Sequence, residues 1–145
     1  MQIFSKTYNE DDDGFDGNIE AYYVSTQKEN LKNWLSKEVS DSGLLYQTIQ
    51  KITNNILIIK NINIEEQFRG QGFGSQIITE IINKSFAEAA ILMCDISEEQ
   101  LPNFVLEKFY ESNDFNTIFR YLDYPLMMYP SELGDKVTEK LKMVN

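Results

Sequence analysis

Three of the chain's seven glycines fall within the six residues Arg69-Gly70-Gln71-Gly72-Phe73-Gly74. Upstream, residues 56–64 form an apolar run that alternates at its end, where Ile62 and Ile64 flank Asn63, and this predicts a strand. Downstream, Ile77, Ile78, Ile81, Ile82 and Phe86 recur at helical spacing. A glycine turn between a strand and a helix can crowd backbone N–H groups around an anion with no Cβ in the way. The helix mouth adds partial positive charge. The natural ligand of such a cradle is a pyrophosphate. The turn lacks the Lys-Ser/Thr ending of a Walker A loop, and its Gly-x-Gly-x-Gly spacing departs from the dinucleotide fingerprint. A tight strand-to-helix connection without a ligand is the alternative.

The chain has no histidine. That excludes a Ser-His-Asp triad, a Cys-His pair and histidine-based zinc sites. The single cysteine, Cys94, lies in an apolar run, so no internal disulfide can form and a buried small hydrophobe is expected. A carboxylate, directly or through water, is left to take a proton. Glu65 and Glu66 follow the strand at 56–64, and Asp95 stands near the end of the run at 90–96. Each of these also reads as a solvated charge. Tyr110, beside Phe109, also reads as an amphipathic core tyrosine. Residues 9–20 nearly fit an EF-hand loop, with Gly14 at the sixth place. Asn9 at the first place and Asp16 at an apolar one weaken the fit, and the flanks read as strands. A solvated acidic loop, or a lip attracting a cationic substrate, is preferred, and no metal site is assigned.

These residues need elements to position them. Strands are expected at 3–8, 19–24, 44–52, 56–64, 90–96, 116–121 and 126–129. Helices are expected at 27–39, 76–89, 101–112 and 131–145, and residues 9–17 read as a loop. The strands at 44–52 and 56–64 are expected to join as a hairpin through Thr53-Asn54-Asn55, because asparagine accepts positive φ. The order strand, glycine turn, helix, strand, helix, strand predicts an α/β fold. The length of 145 residues suits a single domain spanning 1–145. The net charge of -10 argues against nucleic acid and anionic membrane as partners and suits a cationic acceptor, although it also serves solubility. No apolar run approaches the roughly 20 residues of a membrane span. The first residues are too polar for a signal peptide, so a cytoplasmic location is expected.

Arg69, Gly72 and Gly74 resemble the Arg/Gln-x-x-Gly-x-Gly/Ala motif of the GNAT superfamily of N-acetyltransferases. Ile62, Asn63, Ile64 and Phe68 resemble the end of that family's fourth strand and its run into the turn. The stretch from Asn103 to Tyr110 resembles the family's Asn-x-x-Ala-x-x-Leu-Tyr helix, with Leu106 in place of the usual small residue. Asp114-Phe115 stands where a Gly-Phe turn is usual, and aspartate tolerates positive φ. The resemblance covers residues 56–129. It implies a three-layer fold around a central mixed, largely antiparallel sheet, with a splayed acetyl-CoA cleft flanked by helices.

The resemblance also implies roles. The amides of Gln71, Gly72, Phe73, Gly74 and Ser75 would hold the CoA pyrophosphate, within a loop begun by Arg69 and Gly70. Ile62, Asn63 and Ile64 would pair with the pantetheine arm, and Asn103 would bond it. Tyr110 would protonate the departing thiolate. The activity implied is transfer of an acetyl group from acetyl-CoA to the amine of a small-molecule, peptide or protein acceptor by direct attack, with a backbone N–H near Ile64 polarising the carbonyl. Glu65 and Glu66 are candidate bases. The strand positions where the family often places a base hold Lys60, Asn61 and Asn63, none of them a carboxylate. A non-catalytic acyl-CoA-binding module with the same fold is therefore the alternative. A transferase acting on aminoacyl-tRNA fits the acidic charge poorly. The identity of the acceptor and of the base is left open by the sequence, as is homodimerisation.

Overall fold

Four consecutive buried residues, Ile56, Leu57, Ile58 and Ile59, mark a strand covered on both faces. The computed structural model describes residues 1–94 and 103–143, as backbone alone at 103–105. The elements are β1 (Gln2–Tyr8), α1 (Glu10–Asp13), β2 (Gly17–Ser25), α2 (Glu29–Glu38), α3 (Gly43–Ile52) and β3 (Asn55–Ile64). Then follow α4 (Phe73–Ser85), β4 (Ala90–Met93), α5 (Asn103–Glu111), β5 (Asn116–Tyr121), β6 (Tyr124–Tyr129) and α6 (Ser131–Met143). The strands form one six-stranded sheet in the order β1-β2-β3-β4-β6-β5. Every pairing is antiparallel except β3 with β4, which is parallel and needs the crossover that α4 supplies. Among the described residues, no helix is long and apolar enough to cross a membrane.

The parallel pairing is brief. Leu57 matches Ala90 and Ile58 matches Ile91, and the ladder stops there. Past that point β3 stays with β2 as far as Ile64, and β4 stays with β6 as far as Met93. The sheet is thus splayed at its centre, as expected.

A β-bulge coincides with the split. Ala21 pairs with Ile59 and Glu20 with Asn61, which leaves Lys60 as the extra residue. One extra residue shifts the alternation of side chains by one. Leu57 and Ile59 pack into the core under α4, and after the bulge Ile62 and Ile64 pack against the same core. On the other face, Ile56, Ile58 and Ile91 pack with Leu35 of α2, Ile49 of α3 and Val137 of α6. Helices therefore cover both faces, which gives the three-layer α/β architecture.

Several expectations are corrected. Residues 44–52 are not a strand but most of α3. Leu45, Thr48 and Ile49 are buried and Ile52 is half-buried, at the spacing of one helical face, while Gln47 and Lys51 are exposed. Thr53 closes the helix by donating its N–H to the Ile49 carbonyl, so Thr53-Asn54-Asn55 leads from a helix into β3 and is no hairpin turn. Within 9–17, Glu10–Asp13 forms one helical turn, because the Asn9 side chain caps it and Gly14 leaves it at φ 85°. The helix expected at 76–89 begins at Phe73 and ends at Ser85, where Phe86 takes φ 55°. The strand expected at 90–96 runs from Ala90 to Met93, with 95–96 outside the described residues.

The helical assignment of α3 separates two neighbouring substitutions. Ile49→Ala is expected to destabilise the fold by about 2–5 kcal/mol, whereas Gln47→Ala stays within about 0.5 kcal/mol. Denaturant titration of both variants checks this, since a strand would put both side chains on one face and give comparable losses.

Candidate active site

The site is built where β3 ends. Glu65 donates its N–H to the Asp16 carbonyl at 3.0 Å, and a single 3-10 turn, Glu66–Phe68, bends the chain away. Arg69 reaches back, its Nε donating to the Ile64 carbonyl at 2.8 Å, and closes the loop against the strand. Gly70 and Gly72 then take φ 76° and 89°, a region in which an L side chain is strained. A Cβ at either glycine would meet nothing within 4 Å. No protein atom crowds either position, so within the chain it is the backbone angle that calls for glycine. Gly74 is different: a Cβ there would lie 2.7 Å from Phe109 Cζ and 3.4 Å from Ile64 Cδ1. Its bare backbone lets α5 close onto the turn.

Because α4 starts at Phe73, the turn and the helix mouth are continuous. Gly72 is the N-cap, no side chain caps the helix, and the Gln76 N–H makes the bond to the Gly72 carbonyl at 3.1 Å. The first amides of a helix have no partner within it. The N–H groups of Gln71, Gly72, Phe73, Gly74 and Ser75 donate to no acceptor among the described residues. The mouth is held from below by stacked aromatics, with Phe73 4.3 Å from Phe15 and Phe15 4.9 Å from Tyr8.

A second row of main-chain groups leads away from this mouth. The β3 edge that faces β4 has no partner strand past Ile58 among the described residues. The Ile64 carbonyl lies on that edge, where Arg69 takes it, and strand alternation places the N–H and C=O of Ile62 there as well. Asn63 directs its main chain toward β2, where it matches Asn18. The strand is the third in this chain, not the fourth.

Tyr110 is 8% exposed and packs edge-on to Phe109 and Phe115, at 5.2 and 5.7 Å between ring centres. Its carbonyl accepts the N–H groups of Asn113 and Phe115, and Asp114 between them takes φ 67°, as its tolerance of that region predicts. Glu107, one turn earlier, is bonded by the Thr117 hydroxyl and by Arg120 Nη2, which fixes α5 on β5. Asn103 opens α5, and its side chain is outside the described residues, as is Asp95. Ile64, Gly74 and Phe109, next to Tyr110, thus meet at one place. Glu65 and Glu66 are exposed and stand at the turn end of β3.

On the opposite face the split opens into a cavity of about 320 Å³. Trp34 and Glu38 of α2 line it, with Ile59 and Lys60 of β3, Met93 of β4, and Tyr121, Leu122 and Tyr124 of the β5–β6 hairpin. Lys60 Nζ lies 3.5 Å from the Tyr22 hydroxyl and 4.0 Å from Glu20 Oε1, a loose pairing on a side chain 56% exposed. Leu122 and Asp123 turn the hairpin at φ 50° and 70°, and Leu122 stands 75% exposed at the rim. Sequence reasoning missed Trp34, Glu38, Tyr121 and Tyr124. Nothing local distinguishes them, because their convergence depends on α2 lying over the split. A second concavity, between β1 and α4, is closed on itself by the Lys6–Glu80 ion pair at 2.8 Å. Burial first, and then the Glu80 carboxylate, raise the pKa of Tyr8 beside it.

The acidic segment is mostly exposed and bonds largely to itself. Asp13 accepts the Asn9 N–H, Asp16 accepts the Glu10 N–H, and Asp12 accepts the Asn9 side-chain amide. Among the described residues no group of three metal-ligating side chains converges.

The sequence matches no family model and no curated protein. Solved structures of the same fold do match. An N-acetyltransferase from Staphylococcus aureus Mu50 aligns at TM-score 0.52 and 17% identity, over 86% of this chain and 67% of that one. Arabidopsis thaliana NAA60 in complex with acetyl-CoA aligns at 0.50 and 17%, over 78% of this chain and 64% of that one. A chain of the NatC complex bound to Gag peptide and CoA aligns at 0.50 and 11%, over 90% and 99%. This chain therefore spans less than two thirds of the plant chain's length. It has the GNAT fold, a mixed sheet splayed between two central strands, and the resemblance seen in its motifs extends to its topology.

The turn yields a paired test. Gly72→Ala and Gly72→Glu should share a stability loss of about 1–2 kcal/mol from the left-handed backbone. Only Gly72→Glu should abolish coenzyme A binding, by placing a carboxylate against the phosphates. Calorimetric titration of both variants with coenzyme A measures the difference.

Proposed function

We propose that this protein transfers the acetyl group of acetyl-CoA to an amine. The observation that carries the reading is the row of five amides at the mouth of α4 that find no acceptor among the described residues, continuous with a β3 edge that has no partner strand among them. Two of the structures of similar fold hold acetyl-CoA or CoA, which supports the same ligand here. In this reading the pyrophosphate lies on the amides of Gln71, Gly72, Phe73, Gly74 and Ser75. Each hydrogen bond to a charged group contributes about 1.5–3 kcal/mol. Arg69 holds the loop in shape, with Gly70 as its hinge. The pantetheine arm runs along the free edge, pairing with Ile62 and Ile64, and Asn103 bonds it from α5. Asn63, turned toward β2, contributes spacing alone.

The arm ends at the split, beside Ile59 and Lys60, and the acceptor approaches through the cavity on the other face. The amine lone pair attacks the thioester carbon. The Ile62 N–H, the first on this edge past the ladder, steadies the oxygen as it gains charge. The carbon–sulfur bond then breaks, its electrons go to sulfur, and Tyr110 gives the sulfur its proton. The acceptor's own proton must leave to a carboxylate. Glu65 and Glu66 stand by the pyrophosphate, an arm's length from the thioester, whereas Glu38 lines the cavity where the amine enters. Glu38 is the better-placed base.

A non-catalytic acyl-CoA-binding module is the second reading. It is favoured by the tight packing of Tyr110 between Phe109 and Phe115, which a purely structural tyrosine would share. Thiol release from acetyl-CoA with a panel of amines separates the two. Release with at least one amine is expected, and binding without release on any amine supports the module. Tyr110→Phe should lower kcat by about 100-fold or more while the affinity for coenzyme A changes little. Equal loss of both quantities would remove the acid role.

A further inference from the structure

The cavity on the acceptor side carries more information than its position. Among the described residues its lining has one carboxylate, Glu38, and one ammonium, Lys60, the others being aromatic or aliphatic. At about 320 Å³ it lies at the lower end of the roughly 300–1,000 Å³ typical of small-molecule sites. A net charge of -10 repels carboxylates from the surface at large, so an anionic group needs a local cation to settle here. Lys60 is that cation. The bulge makes it the extra residue of β3, at the point where the ladder to β4 ends. Its contacts to Tyr22 and Glu20, at 3.5 and 4.0 Å, are too loose to commit it.

We propose that the acceptor is a zwitterion, a free amino acid with an apolar or aromatic side chain. This rests on the acetyltransferase reading and names its substrate class. The ammonium faces Glu38, the carboxylate faces Lys60, and the side chain lies between Trp34, Tyr121 and Tyr124. The aromatic walls take up the apolar side chain, and the two ionic contacts fix its orientation. The reaction is the one given above, begun from the ammonium: Glu38 takes one proton and frees the lone pair, the nitrogen bonds to the acetyl carbon, and the thiol leaves with the proton of Tyr110. The second nitrogen proton is lost after attack and, through water, restores Tyr110, while Glu38 returns its proton to solvent. The product is an N-acetyl amino acid, which keeps its carboxylate on Lys60 and loses the charge that faced Glu38. Loss of that contact favours release.

Initial rates with acetyl-CoA and four acceptors test this: phenylalanine, phenylalanine amide, phenethylamine and the dipeptide Phe-Gly. Free phenylalanine should exceed the amide and phenethylamine in kcat/KM by about tenfold or more, the scale of one charge-assisted hydrogen bond. The dipeptide, whose carboxylate lies one residue further on, should fall with the amide. In Lys60→Gln the ratio of acid to amide should collapse toward one. In Lys60→Arg it should persist, and in Lys60→Glu it should invert. Lys60 is exposed, so these variants should retain the wild-type thermal midpoint within a few degrees, which a melting scan verifies. Equal or better use of the amide, phenethylamine or dipeptide overturns the zwitterion and leaves acetyl transfer standing. An acid-to-amide ratio unchanged in Lys60→Gln also overturns it. No transfer to free phenylalanine overturns the zwitterion, and only failure with every amine of the wider panel, despite measurable coenzyme A binding, overturns the acetyltransferase reading along with it.

Discussion

The interruption of the β3–β4 ladder after two matched residues is the constraint on which the site depends. A parallel pair usually buries its whole length under crossover helices. Here the crossover is made, but β3 leaves its neighbour at the bulge on Lys60 and keeps faith with β2 alone. Among the described residues, main-chain groups that would have been spent on a strand have no partner strand along one edge. Such groups are costly if buried without partners and useful if a ligand supplies them. The same opening has two mouths. One faces the start of α4 and the other faces α2 and the β5–β6 hairpin; in the proposed reaction the two substrates meet at the split without sharing an entrance.

The turn beyond β3 is shaped by packing as much as by glycine. Arg69 ties it to the strand, Phe73 stacks on Phe15 beneath it, and Gly74 yields its side-chain space to Phe109. These contacts fix the amide row before any ligand arrives, and preorganisation of that kind reduces the ordering cost of binding. Because Phe109 packs against Gly74 and Tyr110 follows it on α5, the turn and Tyr110 are mechanically joined. Glu107 continues that connection to β5 through Thr117 and Arg120.

Much of this was legible in the sequence, and the reasons for the exceptions are physical. The glycine spacing, the strand before it and the helix after it define the turn, because their signals are local. The left-handed Asp114 was legible for the same reason. The bulge left a trace in the three-residue step from Ile59 to Ile62, which breaks strict alternation around Lys60. Residues 44–52 were misread because a short apolar run fits a strand or a buried helix, and only the exposure of Gln47 between Leu45 and Ile49 decides the matter. That error hid the cavity. With α3 taken as a strand, nothing placed α2 over the split, so Trp34 and Glu38 had no reason to attract notice. Glu65 and Glu66 drew attention by proximity in sequence, yet a strand at about 3.3 Å per residue carries them well away from the bulge.

Amide-resolved NMR addresses the central claim most directly. The labelled protein would be titrated with coenzyme A and, separately, with pantetheine, which lacks the pyrophosphate. Large shifts are expected in the amides of Gln71, Gly72, Phe73, Gly74 and Ser75 with coenzyme A, and little change in them with pantetheine. Should those amides stay unmoved at saturating coenzyme A, or should pantetheine shift them equally, the pyrophosphate does not sit on the mouth of α4.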